Sequence, residues 1–598
     1  MTEASTTLRH LRELARARAA SLCGLAERGA FARALVAQAV RAFVAAIETT
    51  EGAAVLLPPL DGDRYPANTL EPRDVRLAQR IGQTAAGLDD IAAGYELGTV
   101  YTVALPEAER SALGVFYTPP ALAERLLDMA ERAGTGWSRA RVLDPACGGG
   151  AFLGPVAKRM RAALGDTSPD AVVRHLARNL RGFEIDPFSA WLSQVLLCVN
   201  LRDVLRAART PLPFLIRVGD ALTRHEPRGP RFDLVVGNPP YGRIGRLAPH
   251  LRTVYGRSLH GHANAYGLFT DLALRWTRTG GSVAFVTPTS CLGGAYYRAL
   301  RALLSRETPP VEVDFVLARR GVFDSVLQET MLACFRKGAT GPVSVNVLVA
   351  NEEGRSEATA LGAYRLASTD GAPWLLPRSP RQAALVRHLL GMRSRLKDYG
   401  WKVSTGPLVW NRHKLQFRDK EGLGHLPVIW AEAVSSSGQF RWRSERRTHR
   451  PWFAPRLPAD EWLVTRQPCV LVQRTTAKEQ PRRLVAAELP RDFLARHGAV
   501  TVENHLNMVR PVNGSPEVSA TTIAALLNSA VLDEAFRCIS GSVAVSAAEL
   551  EALPLPAPHD MEHIERLILS GAPRAKIEAV VGAAYGLATA LDEPATAA

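Results

Sequence analysis

The 598-residue sequence has no run approaching the ~18 uninterrupted apolar residues that a membrane-spanning helix needs. No membrane partner is expected on that count. Residues 1–18 intersperse Arg and Glu with Ala and Leu, without the apolar centre of a secretory signal, so the expected location is cytoplasmic. Cysteine is scarce. Cys23, Cys147, Cys198, Cys291, Cys334, Cys469 and Cys538 stand singly, with no C-x-x-C pair and no histidine at zinc-finger spacing. A disulfide framework and a structural zinc site are both excluded, and no metal is expected. The sequence also lacks internal repeats, low-complexity blocks and the G-x-x-x-x-G-K-S/T loop of nucleotide triphosphatases.

What is present begins with charge. Lys and Arg outnumber Asp and Glu by 73 to 58, a formal net charge of +15, which permits a polyanionic partner through counterion release. The length is enough for several domains. Residues 1–110 carry apolar side chains at helical spacing, such as Val36, Val40, Phe43 and Ile47, and read as a helical N-terminal module. Short apolar strands at 141–143, 180–185, 216–218, 232–236, 281–286, 311–317 and 330–335 then alternate with helices, which predicts a doubly wound α/β domain over 111–345. A Pro- and Gly-bearing stretch and a helix at 381–399 make 346–398 a linker and helix. Residues 399–560 form a Trp- and Arg-rich α+β domain, and 561–598 are C-terminal helices and a tail.

Three strand ends carry chemistry. Arg141-Val142-Leu143-Asp144-Pro145-Ala146-Cys147-Gly148-Gly149-Gly150 is a strand running into a glycine turn, which lets backbone come close to a ligand. Its spacing is not G-x-G-x-x-G, so a ligand without a pyrophosphate is favoured. The next strand ends in Glu184-Ile185-Asp186, and an acid there can accept hydrogen bonds from ribose hydroxyls or serve as a turn residue. A third ends in Gly219-Asp220-Ala221, where Asp220 is either a ligand-facing acceptor or a surface turn residue. Upstream, Tyr117-Thr118-Pro119-Pro120 precedes a helix that Thr118 is placed to cap.

The strand 232–236 delivers Asn238-Pro239-Pro240-Tyr241 at its carboxyl end. An amine conjugated to a heteroaromatic ring is a poor nucleophile because its lone pair is delocalised. Accepting both of its N–H groups, with the Asn238 side-chain oxygen and the Pro239 carbonyl, makes the nitrogen pyramidal and aims the lone pair. The prolines lack N–H groups and fix φ, holding that carbonyl in place. Tyr241 is suited to stack on the ring.

These segments, in this order, resemble motifs X, I, II, III and IV of the gamma-class amino-directed DNA methyltransferases. The resemblance implies S-adenosylmethionine as cofactor, held by Tyr117, Thr118, Pro119, Asp144, Ala146, Gly148, Gly150, Glu184, Ile185, Asp220, Ala221 and Asn238, with Ile185 against the adenine and Asp220 accepting from its amine. It implies transfer to N6 of an adenine flipped out of double-stranded DNA, catalysis by Asn238, Pro239, Pro240 and Tyr241, and Phe323 as a second stacking ring at the place of motif VIII. Leu526-Leu527-Asn528-Ser529, Gly541 and Leu553-Pro554-Leu555-Pro556 resemble the closing part of target-recognition domains. Arg412, Lys414, Arg441, Arg443, Arg446 and Arg447, set around Trp442 and Trp452, are then the expected DNA contacts. Cytosine-N4 methylation uses the same pocket, and Asn-Pro-Pro-Tyr is shared with enzymes that methylate a glutamine side chain or ribosomal RNA. An idle DNA-binding subunit, or the modification subunit of a larger restriction complex, stays open as well. Residues 1–110 hold no convincing acidic nuclease cluster, so either a separately encoded restriction endonuclease or none is expected beside this chain.

Overall fold

Leu8, Leu11, Ala15 and Ala19 fall three or four residues apart along the helix Glu3–Ala20 and are all buried, the spacing that aligns side chains on one helix face. They share a core with helices Leu25–Glu51, Pro72–Ala85 and Asp90–Ala104. Among the described residues Leu25–Glu51 is long and apolar enough in composition to cross a membrane. Arg33 and Arg41 interrupt it, and Phe31, Leu35, Phe43 and Ile47 are buried inside the protein. This computed structural model describes residues 3–57, 69–114, 117–225, 229–317, 329–350, 356–366, 371–443, 446, 448–476, 480–512, 516–541 and 544–587.

The helical core does not end at residue 110. It takes in Phe188, Trp191, Leu192 and Val195 of the helix Pro187–Asn200, in which every residue after Pro187 is buried. Arg202 joins the two regions through Glu51 at 2.7 Å and Asp90 at 2.6 Å. The expected separate N-terminal module is thus part of one compact unit, 1–288 with 302–365. Burying large apolar side chains on a shared helix, at about 1.5–3 kcal/mol each, is what fuses them.

At the centre of that unit is a nine-stranded sheet. Its strands are β1 (Val142–Asp144), β2 (Leu180–Glu184), β3 (Ile216–Val218), β4 (Phe232–Gly237), β5 (Thr277–Pro288), β6 (Pro310–Leu317), β7 (Thr330–Arg336), β8 (Val343–Ala350) and β9 (Ser356–Tyr364). Their order is β3-β2-β1-β4-β5-β7-β6-β8-β9. The first five are parallel neighbours, and β7 runs antiparallel between β5 and β6. The strand order reverses between β1 and β4, the switch point at which open α/β sheets bind ligands. The linker expected from 346 begins instead as sheet: β8 pairs parallel with β6, and β9 antiparallel with β8.

The second unit comprises 289–301 and 366–598. It holds a four-stranded sheet, made of Trp401–Thr405, Leu506–Pro511, Val470–Gln473 and Ala486–Glu488, and a five-stranded one. The helix expected at 381–399 is two pieces, Pro380–Leu389 and a 3₁₀ turn Leu396–Tyr399. The segment 289–301 is tied into this unit by Arg301, only 1% exposed. Its guanidinium donates to the carbonyls of Cys291, Gly294, Gly371 and Ala372 at 2.8–3.1 Å. Burial pushes its pKa down to about 10. Asn528 is equally structural: its amide exchanges hydrogen bonds with the Ala486 backbone, accepting at 3.1 Å and donating at 2.6 Å, as a neighbouring strand does.

Candidate active site

β1 is buried throughout and puts Asp144, 1% exposed, at its carboxyl end. Asp144 Oδ1 accepts from the Ala146 N–H at 3.1 Å, and its buried Oδ2 has no partner. The turn that follows needs glycine at Gly148, whose φ is +52°. The Gly148 N–H donates to Glu184 Oε2 at 2.8 Å, and the Asp186 N–H to Glu184 Oε1 at 2.9 Å. The two strand ends are stitched together by these bonds, with Glu184 only 6% exposed. Burial pushes Asp144 up to about 8, opposed by the Ala146 bond. Glu184 rises to about 7, again through burial, with its backbone bonds pulling the other way.

These residues line a cavity of about 350 Å³, together with Tyr117, Thr118, Ala146, Gly148, Ile185, Asp220, Ala221, Asn238 and Pro240. Ile185 is half exposed while Ala221, Leu222 and Phe269 are nearly buried, and the four make an apolar slot beside Glu184. Asp220 caps the turn Ala221–Thr223, Oδ1 accepting from the Leu222 N–H at 2.9 Å, and it lines the cavity. Glu184 is no surface turn residue, being buried.

Asn238 follows β4, next to β1 in the sheet. Its Nδ2 donates to the Thr118 hydroxyl at 3.2 Å, and its Oδ1 accepts from the Tyr241 hydroxyl at 2.7 Å. Thr118 is therefore not the expected cap of the following helix. That helix, Pro120–Arg132, has Pro119 at its N-cap without a side-chain bond, and the Pro119 carbonyl accepts from Leu122 and Ala123. Tyr117 is held by close backbone: a Cβ built on Gly98 or on Gly149 would fall 2.0 Å from its ring.

Four expected site residues stand off the cavity wall, namely Pro119, Gly150, Pro239 and Tyr241. Gly150 packs against the helix Pro187–Asn200, where a Cβ would come within 2.5 Å of Ser193 Oγ; its smallness serves packing. Pro239 is buried. The Tyr241 ring, expected to lie free for stacking, packs edge-on to Tyr266 at 6.3 Å with its hydroxyl on Asn238. Phe323 lies outside the described residues. Gly98, Gly149, Leu222 and Phe269 were not expected. Gly149 was legible as part of the glycine turn, whereas Gly98 has no local signal. Cys147, in that turn, is buried with its thiol pushed up by burial, unsuited to act as a nucleophile.

In the second unit Arg412, Lys414, Arg441 and Arg446 are exposed. Arg443 is half-buried with Nε on the Glu432 carbonyl at 2.8 Å, so it also braces the backbone. Arg447 lies outside the described residues. Trp442 and Trp452 form a ring cluster with His497, and the Trp442 indole donates to the Val428 carbonyl at 3.0 Å. Trp452 is buried, and Trp442 is half-buried against the core that holds Ile429, Val434 and Leu471.

With the cavity described, comparison with known proteins gives first a class. Residues 178–323 match the model of the family described as Eco57I restriction-modification methylase. Among curated proteins the chain is 26% identical over 337 residues to the type II methyltransferase M.BsuBI of Bacillus subtilis, covering 54% of this chain and 65% of that one. It is 30% identical over 248 residues to the type II methyltransferase M.TthHB8I of Thermus thermophilus, covering 40% and 48%. The chain thus spans about half to two-thirds of the length of these relatives. Among solved structures, that of the type IIL restriction-modification enzyme MmeI in complex with DNA aligns over 99% of this chain and 97% of that one, with TM-score 0.52 and 13% identity. The likeness there is one of fold.

Proposed function

We propose that the chain is a site-specific DNA methyltransferase that uses S-adenosylmethionine to methylate N6 of an adenine flipped out of double-stranded DNA, within a restriction-modification system. The observation that carries this reading is the Asn238 carboxamide, held by Thr118 at the wall of a cavity that two buried carboxylates, Asp144 and Glu184, also line.

S-adenosylmethionine supplies an electrophilic methyl group on a sulfonium. The residues present suit its other parts. Asp144 Oδ2 is a buried acceptor without a donor, fit for an ammonium or hydroxyl. Each Glu184 oxygen keeps a lone pair beyond its backbone bond, fit for ribose hydroxyls. The apolar slot of Ile185, Leu222 and Phe269 takes a flat ring, with Asp220 at its edge.

On the target side, Asn238 Nδ2 donates to the Thr118 hydroxyl, and with the amide in this orientation Oδ1 is the end turned to the Tyr241 hydroxyl. Oδ1 is left to accept one N–H of the target amine and the Pro239 carbonyl the other. The Tyr241 hydroxyl shares Oδ1, so the ring turns from Asn238 toward the base as the amine takes its place. The nitrogen lone pair would thereby be aimed at the methyl group that the cofactor supplies, and the proton displaced from the amine would leave to water. The exposed Arg412, Lys414, Arg441 and Arg446 support phosphate contacts by the second unit. A test is methyl transfer from labelled cofactor to duplex DNA by Asn238→Ala, followed by mass spectrometry of the nucleosides formed by the native protein. Full activity in the variant overturns the reading; N4-methylcytosine in place of N6-methyladenine changes the target base.

A further inference from the structure

The return from β3 to β4 has no crossover helix among its described residues, only the turn Ala221–Thr223. A second cavity, of about 880 Å³, opens there beside β2, β3 and the start of β4. It shares no lining residue with the candidate active site. Arg141, Arg181, Arg217 and Arg224 line it, and no Asp or Glu stands among its described lining residues. Among the described residues none of these arginines forms an ion pair. Arg181 donates to the carbonyls of Ala177 and Leu180, and Arg141 to those of Pro230 and Arg231. Four cations brought together repel one another, and burial with the neighbouring Arg141 and Arg217 lowers the pKa of Arg181.

The floor of the cavity is aromatic. Phe183 meets the Trp276 ring edge-on at 5.3 Å, and Phe232 stacks on it at 6.0 Å. Arg224 and Arg141 lie over Phe183 and Phe232, at 5.9 and 5.0 Å, which holds guanidinium groups at the wall. Trp276 is only 4% exposed, yet its Nε1–H has no acceptor. The buried Nδ1 of His225, another lining residue, also lacks a partner. An orphaned indole N–H under an arginine cluster calls for an anionic acceptor from outside the chain. Phe214, 54% exposed, offers a ring at the same wall.

We propose that this cavity is a second ligand site, for a nucleoside polyphosphate, with the base against Phe214 and the apolar floor and the phosphates on Arg181, Arg217, Arg224 and Trp276 Nε1–H. Size and composition select this class. The cavity is too large for a single phosphate and within the usual range for a nucleotide-sized ligand. A duplex backbone gains nothing from a buried indole donor above an aromatic floor, and an acidic peptide offers no flat ring.

The test uses the full chain and ATP as probe, titrated calorimetrically with saturating S-adenosylhomocysteine present to fill the active-site cavity. Binding is expected to persist. The double variant Arg217→Ala/Arg224→Ala, at two exposed positions, should weaken it about 10-fold or more with an unchanged unfolding midpoint. Trp276→Phe should weaken it about 3-fold or more, and inorganic triphosphate should bind less well than ATP. Absence of ATP binding, its displacement by S-adenosylhomocysteine, or equal binding by the double variant overturns the proposal. So does displacement of ATP by duplex DNA or polyglutamate as effectively as by GTP. None of these outcomes depends on methyl transfer, so the reading of the active site stands or falls separately.

Discussion

Thr118 and Asn238, 120 residues apart in sequence, meet through a 3.2 Å hydrogen bond from the Asn238 amide to the Thr118 hydroxyl. The bond joins the segment before the helix Pro120–Arg132 to the end of β4, and it orients the one carboxamide on which amine chemistry at this site depends. Replacing Thr118 by Val removes the acceptor and frees the amide to rotate. Turnover is expected to fall about 5-fold, in line with the loss of about 1 kcal/mol of positioning, with cofactor affinity changed less than turnover. Thr118→Ser, which keeps the hydroxyl, should restore most of it. Single-turnover methylation of a duplex substrate, compared with calorimetric cofactor binding, separates the two effects.

Asn238→Ala removes the acceptor itself. A fall of about 100-fold or more in methyl transfer is expected, comparable with loss of one preorganised polar group at a reacting centre. Equilibrium binding of S-adenosylhomocysteine should change by no more than about 3-fold, because the cofactor-facing acceptors Asp144 and Glu184 are untouched. A parallel loss of binding would instead assign Asn238 to the cofactor alone.

The buried carboxylates predict a pH dependence. Asp144 titrates at about 8 and Glu184 at about 7 in the folded chain, against about 4 when unfolded. Between those values the folded state holds protons that the unfolded state has released. Their contribution to stability is therefore complete below the unfolded range and lost as pH rises through 7 and 8. Donors on a bound cofactor favour the ionised carboxylates, so binding should tighten about 10-fold from pH 6 to 8.5 and release protons. Calorimetry in two buffers of different ionisation enthalpy reads this directly. Asp144→Asn should flatten the pH slope of the ligand-free unfolding midpoint; an unchanged slope would remove Asp144 from the account.

Gly98 and Gly149 flank the Tyr117 ring so closely that an added methyl falls 2.0 Å from it. Gly98→Ala is therefore expected to destabilise the folded chain by about 1–3 kcal/mol and to weaken cofactor binding by displacing Tyr117. Gly582→Ala, where a Cβ meets nothing within 4 Å, is the control on a helix elsewhere. Thermal unfolding and cofactor titration of the pair provide the check.

The strands β1 to β7 were legible because each is a short apolar run bounded by turn residues or helices. β8 was legible in part, through the alternation of Val343, Val345 and Val347, but that run straddles the assigned boundary at 345. β9 carries Glu357, Ala358, Thr359 and Ala360 with only Leu361 and Tyr364 buried. An edge strand with so little apolar face has no period-2 signal to read. At the site, Asp144, Glu184, Asp220 and Asn238 could be placed because each ends a strand. The bond between Tyr241 and Asn238, and the packing of Gly98 on Tyr117, are products of tertiary arrangement that no local pattern encodes. Nor does composition tell that Trp452 is buried and Trp442 half-buried, since a tryptophan suits a surface as well as a small sheet's core.

The chain passes between its two units three times, after Pro288, after Arg301 and after Arg365. The second unit, if exchanged between relatives by recombination, is therefore not a single cassette. A crossover at 366 alone carries away Gly371 and Ala372 and leaves behind Arg301, a buried cation whose guanidinium those carbonyls satisfy. Transfer of the second unit must bring the thirteen-residue segment 289–301 along with the C-terminal region or repair its fit by later mutation, and a laboratory graft faces the same constraint.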